Sequence, residues 1–64
     1  MSGGVAIRFR VACYGVQGSI RLRAFASEHA AKDWARKNIK EFAKLVVEKD
    51  DGDTWGAVAT FTHR

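Results

Sequence analysis

Apolar and polar residues alternate one for one through the first third of the chain. In "VAIRFRVACY", residues 5–14, Val5, Ile7, Phe9, Val11 and Cys13 interleave with Ala6, Arg8, Arg10, Ala12 and Tyr14. In "SIRLRAFA", residues 19–26, Ile20, Leu22, Ala24 and Ala26 interleave with Arg21, Arg23 and Phe25. A repeat of two marks a strand with one buried face. The intervening "GVQG" has the length and the glycines of a hairpin turn. Pairing Tyr14 with Ser19 sets Cys13 across from Ile20, Val11 from Leu22, Phe9 from Ala24 and Ile7 from Ala26, so one side is wholly apolar. On the other side Arg10 then faces Arg23, and Arg8 faces Phe25 in cation–π reach.

After Ser27 the period changes. Ala31, Trp34, Ala35, Ile39 and Phe42 recur at helical spacing, with Lys32, Arg36, Lys37 and Lys40 turned elsewhere. Ser27 suits an N-cap, and Glu28 follows at the positive end of the helix. Asn38 is a candidate terminus, and the pattern allows an end anywhere from 38 to 43. The remainder, "AKLVVEKDDGDTWGAVATFTHR", predicts a second hairpin turning at "DDG" with glycine in the left-handed region. Pairing Lys49 with Asp53 sets Val47 against Trp55 and Leu45 against Ala57. Trp55, Ala57, Ala59 and Phe61 then face inward, with Val58, Thr60 and Thr62 opposite. Trp34 and Trp55 are expected to pack together between helix and sheet, the alternative for Trp55 being a partner anchor.

The order strand–strand–helix–strand–strand predicts an α+β fold: a four-stranded antiparallel sheet with one helix packed on one face (ββαββ). A single helix covers one face and leaves the other open.

Composition bounds the rest. The chain has 64 residues and is read as a single small domain, 1–64, with "MSGG" as a flexible tail over 1–4. Cys13 is the only cysteine, so no internal disulfide forms. No stretch reads as a secretory signal or a membrane span, and a reducing, cytoplasmic setting follows as the expectation. Net charge is +4, and its placement is uneven. Residues 1–27 carry Arg8, Arg10, Arg21 and Arg23 and no acid, whereas residues 28–64 balance seven basic against seven acidic side chains. The excess sits on the opening hairpin and points toward an anionic partner.

In the register above, Arg8, Arg10, Arg21 and Arg23 share the open face with Tyr14 and Phe25. These six are the candidate partner- or nucleic-acid-binding residues. Like charges set directly opposite destabilise a sheet, so the array calls for an explanation. The competing one is edge protection, since charged side chains discourage strand-to-strand aggregation. Guanidinium groups beside aromatics fit the recognition of phosphate, carboxylate or stacked bases better. The helix stripe Lys32, Arg36, Lys40 and Lys44 reads as a solvated face, with Glu28 and Glu41 beside it.

Other chemistry has little to build on. His29, His63 and Cys13 make no metal-ligand spacing. Asp50, Asp51 and Asp53 around Gly52 lack the length and distal glutamate of a calcium loop. Ser2, Ser19 and Ser27 read as tail, loop end and cap, with no base placed to activate them. The expectation is a protein with no catalytic residues, metal or cofactor.

The Arg-bearing hairpin 5–26, the helix opening "SEHAAKDWARK" and the closing turn "DDGDTWGAV" together resemble the small single-helix ββαββ anti-CRISPR inhibitors of phages and mobile elements. The resemblance lies in element order, length and the turn-plus-tryptophan pattern. It implies a non-enzymatic interaction protein that occupies nucleic-acid-binding surface on a host complex and blocks it. The alternative is a protein that binds nucleic acid directly through its Arg-rich hairpin. Partners are thus a host macromolecular complex or nucleic acid, the chain acting as a monomer or homodimer.

Overall fold

The computed structural model describes residues 8–62. Strands β1 (Phe9–Tyr14), β2 (Ile20–Phe25), β3 (Lys44–Asp50) and β4 (Trp55–Thr62) form one antiparallel sheet in the order β2-β1-β3-β4. Helix α1 (Glu28–Asn38) packs on one face and runs into a 3-10 turn at Ile39–Glu41. The expected ββαββ architecture is the observed one. The tail 1–4 and the expected strand start at 5–7, with its Ile7–Ala26 pair, lie outside the described residues.

The helix begins where its capping chemistry places it. Ser27 Oγ accepts the Ala30 N–H at 3.2 Å, and Lys32 Nζ lies 2.6 Å from Glu28 Oε2 one turn on. At the other end Asn38 Nδ2 donates to the Trp34 carbonyl at 2.8 Å, a side-chain bond back onto the last turn of the helix. Ala31 and Ala35 are fully buried and bring the helix backbone close to the central strands. There they meet Val11 and Cys13 of β1 and Leu45 and Val47 of β3. Phe9, Phe25, Trp34, Ile39, Phe42, Ala59 and Phe61 ring this small core, each half-buried.

Both hairpins close in registers other than those the alternation suggests. In the first, the Gly15 N–H donates to the Ser19 carbonyl at 2.8 Å, and the Gly18 N–H to the Gly15 carbonyl at 3.1 Å. Val16, Gln17 and Gly18 thus form a three-residue loop, with Gly18 at φ +90°. Tyr14 pairs with Ile20 instead of Ser19, Cys13 with Arg21 and Val11 with Arg23. One residue of slip turns β2 over, because side chains alternate with a period of two. Arg21, Arg23 and Phe25 therefore lie on the helix side, and Ile20, Leu22 and Ala24 on the open side.

In the second hairpin Asp50 pairs with Trp55 around the loop 51–54, in place of Lys49 with Asp53. Gly52 does take the left-handed conformation, at φ +105°, and its N–H donates to Asp50 Oδ1 at 2.7 Å. A bulge follows. Glu48 pairs with Ala57 and Val47 with Ala59, so Val58 is the extra residue and the face reverses along β4. Ala59 and Phe61 face the core as expected, but Trp55 and Ala57 lie on the open side. Trp34 and Trp55 are on opposite faces of the sheet and do not pack together.

Candidate functional site

The register separates the six candidate residues. Arg10 and Tyr14 project from the open face, and alternation puts Arg8 with them. Arg21, Arg23 and Phe25 project toward the helix. Arg10 does not face Arg23, and Arg8 does not face Phe25: the partners of β1 on β2 are Ala24 for Arg10 and Phe25 for Phe9. The four arginines form two groups with different surroundings.

On the open face Arg10 and Lys44 are engaged internally, while Arg8 is exposed just ahead of β1. Arg10 Nε lies 2.6 Å from Glu48 Oε1 on the neighbouring strand, and its guanidinium sits 4.2 Å from the centre of the Trp55 ring. Lys44 Nζ sits 4.7 Å from the Tyr14 ring centre. Ala12 and Val46, in the middle of this face, are buried although no helix covers them. The expected array of four arginines on the open face is thus reduced to Arg8 and Arg10, with Arg10 paired to Glu48, and the surface is apolar at its centre and at its β2 side. There Ile20 and Leu22 are 60% and 59% exposed.

On the helix side the arginines remain free. Arg23 lies with its guanidinium 5.1 Å from the Trp34 ring centre and 6.0 Å from that of Phe25. Trp34 in turn is tilted against Phe25 at 5.8 Å and Phe42 at 6.2 Å. Because β2 is the outermost strand, its helix-side positions fall at the margin of the helix. A long side chain there can cover aromatic surface with its stem and keep its charged head in water. Arg21 and Arg23 are both exposed, and among the described residues neither has a carboxylate within ion-pairing distance. Lys32, Arg36 and Lys37 on the helix do have partners, in Glu28 and Asp33.

Two adjoining clefts run along this margin. One, of about 280 Å³, is lined by Cys13, Arg21, Leu22, Arg23, Trp34 and Phe42. The other, of about 260 Å³, lies between the β1–β2 loop, Glu41 and Phe42, with Arg21 and Phe42 common to both. Cys13 closes the first cleft from below, its thiol donating to the Val11 carbonyl at 3.7 Å. Burial pushes this thiol above its ordinary pKa, and the nearby Arg23 and Arg21 pull it partly back. A protonated, buried thiol is a poor nucleophile. Among the described residues no group of His, Cys, Asp and Glu could hold a metal ion, and no helix is long and apolar enough to cross a membrane.

Three participants were not legible as such. Glu48 is the partner of Arg10, Trp34 is the ring beneath Arg23, and Phe42 completes the aromatic margin. The helical spacing placed Trp34 and Phe42 on the apolar stripe. Only the turned-over β2 brings an arginine onto them.

No family model, no curated protein and no solved structure matches this chain.

Proposed function

We propose that the protein is a non-enzymatic binding domain that attaches to an acidic protein partner through the helix-side margin of β2. The observation that carries this is the contrast between its cations. Arg10, Lys32, Arg36 and Lys37 each have a carboxylate beside them. Among the described residues Arg8, Arg21, Arg23, Lys40, Lys44 and Lys49 have none, and of these Arg23 lies over the Trp34 and Phe25 rings with Arg21 beside it in the same cleft. Aromatic packing beneath Arg23 narrows its choice of rotamers. Less side-chain entropy is then lost when a carboxylate arrives.

Nucleic acid is the less suitable ligand for this margin. Strand-binding proteins offer open aromatic faces on which bases stack. Here Trp34 already carries Arg23 over one face and packs against Phe25 and Phe42. The short chain and the ββαββ order support a specific form of the proposal, an anti-CRISPR-like inhibitor that covers part of a host nucleic-acid-handling complex.

The test is a titration with fluorescently labelled polyglutamate and, in parallel, a labelled single-stranded oligonucleotide. Polyglutamate should bind the native protein, and Arg21→Glu with Arg23→Glu should remove that binding. Lys32→Glu with Arg36→Glu should leave most of it. Equal losses in the two variants would make the attraction diffuse and overturn the assignment to β2. Binding of the oligonucleotide alone would make the partner nucleic acid.

A further inference from the structure

The outer edge of β2 is an open hydrogen-bonding edge, and the residues along it alternate in a way that specifies what can pair there. Gly15 and Ser19 exchange a backbone hydrogen bond, so the bonded pairs that follow are Cys13–Arg21, Val11–Arg23 and Phe9–Phe25. The other flank of β1 agrees. The Asp50 N–H donates to the Arg8 carbonyl at 2.7 Å, which turns the backbone groups of Arg10, Ala12 and Tyr14 toward β3. The N–H and C=O groups of Ile20, Leu22 and Ala24 therefore point away from the sheet. Among the described residues no strand meets them.

The two edges of the sheet are not alike. β4 is interrupted by the bulge at Val58, a device that spoils pairing. β2 is regular over all six of its residues. Its side chains present Arg21 and Arg23 to one side and the exposed Ile20 and Leu22 to the other. A second copy of the chain is a poor occupant. Antiparallel two-fold pairing centred on residue 21, 22 or 23 sets arginine across from arginine, which costs stability. A strand with carboxylates at alternate positions meets the opposite situation. Its acids fall beside Arg21 and Arg23, and its apolar residues cover Ile20 and Leu22.

We infer that the protein captures an extended segment of its partner as a fifth strand on β2, the segment alternating acidic and apolar side chains. Main-chain hydrogen bonds to Ile20, Leu22 and Ala24 supply adhesion, and the alternating side chains supply selectivity. The repulsion between arginines excludes self-pairing, so one feature both attracts the partner and rejects the wrong strand. This rests on the reading that the β2 margin binds an acidic protein and adds the conformation and side-chain pattern of what is bound.

The experiment compares two peptides of identical composition, Glu-Val-Glu-Val-Glu-Thr-Glu and Glu-Glu-Glu-Glu-Val-Val-Thr, with polyglutamate as the reference anion. Amide hydrogen exchange is followed by nuclear magnetic resonance. The alternating peptide should bind about tenfold more tightly than the block peptide. It should slow exchange at Ile20, Leu22 and Ala24, whose N–H groups meet no strand among the described residues. Leu22→Pro removes one outward donor without touching the β1–β2 ladder and should abolish the preference for the alternating peptide. Should that variant fail to fold, the exchange pattern of the native chain decides alone. Equal binding of the two peptides, with no protection at the three amides, would overturn strand addition and leave the acidic-partner reading standing. Failure of both peptides and of polyglutamate would overturn both.

Discussion

Arg10 and Glu48, 38 residues apart in sequence, face each other across β1 and β3 with Arg10 Nε 2.6 Å from Glu48 Oε1. Both side chains are partly buried, and Trp55 lies under the guanidinium at 4.2 Å. This grouping ties β1, β3 and β4 together on the face that has no helix. It also removes Arg10 from the pool of cations available to a partner.

Glu48→Ala is therefore expected to destabilise the fold by about 1–2 kcal/mol, above the usual worth of an exposed pair. The stacking on Trp55 accounts for about 0.5–1 kcal/mol of the loss in Arg10→Ala. Urea unfolding of both single variants and the double variant measures the coupling. Arg10→Ala should leave polyglutamate binding unchanged. Additive losses would show that the pair contributes nothing beyond its separate residues.

Ala35 is fully buried where α1 lies against the sheet, so Ala35→Leu should overpack that contact. The expected loss is about 1–3 kcal/mol, a large share of the stability of so short a domain. Thermal unfolding followed by circular dichroism reads it. A native-like melting temperature would mean that the helix has room to rise from the sheet.

Cys13 should be protected from alkylation in the folded protein, with the rate rising in urea as the chain opens. Burial raises its folded pKa, so the native state keeps the proton at pH values where the unfolded chain has lost it. The stabilisation is full below the unfolded pKa and is lost as pH rises through the folded one. Near about pH 8.5 the folded protein should react with iodoacetamide about tenfold more slowly than the unfolded chain. Equal rates would place the thiol in open contact with the cleft.

Partner binding at Arg21 and Arg23 should weaken with salt mainly through slower association. Both guanidinium groups are exposed, and a Debye length of about 10 Å at 0.1 M screens them readily. Stopped-flow measurements over a salt series separate the two rates. A salt effect confined to dissociation would indicate that the charges act only after water is excluded.

Element type and order were legible in the chain itself: two alternating segments, a helix opened by Ser27 and a closing hairpin with Gly52 in its turn. Those features arise from local chemistry, where a period of two or 3.6 and a capping hydroxyl act within a few residues. Face and register were not. Alternation shows that Arg21, Arg23 and Phe25 share a side of β2, but it does not say which side meets the helix. The tertiary structure decided that through the three-residue loop ending at Gly18 and the packing of Phe25 on Trp34. At an edge strand beside the helix margin an arginine keeps its charge in water on either face, so burying Phe25 prevailed over hiding Ile20 and Leu22. The bulge at Val58 likewise turned Trp55 outward onto Arg10. Each arginine's neighbours, and so the candidate site, were set by contacts between segments far apart in sequence, which no local pattern encodes.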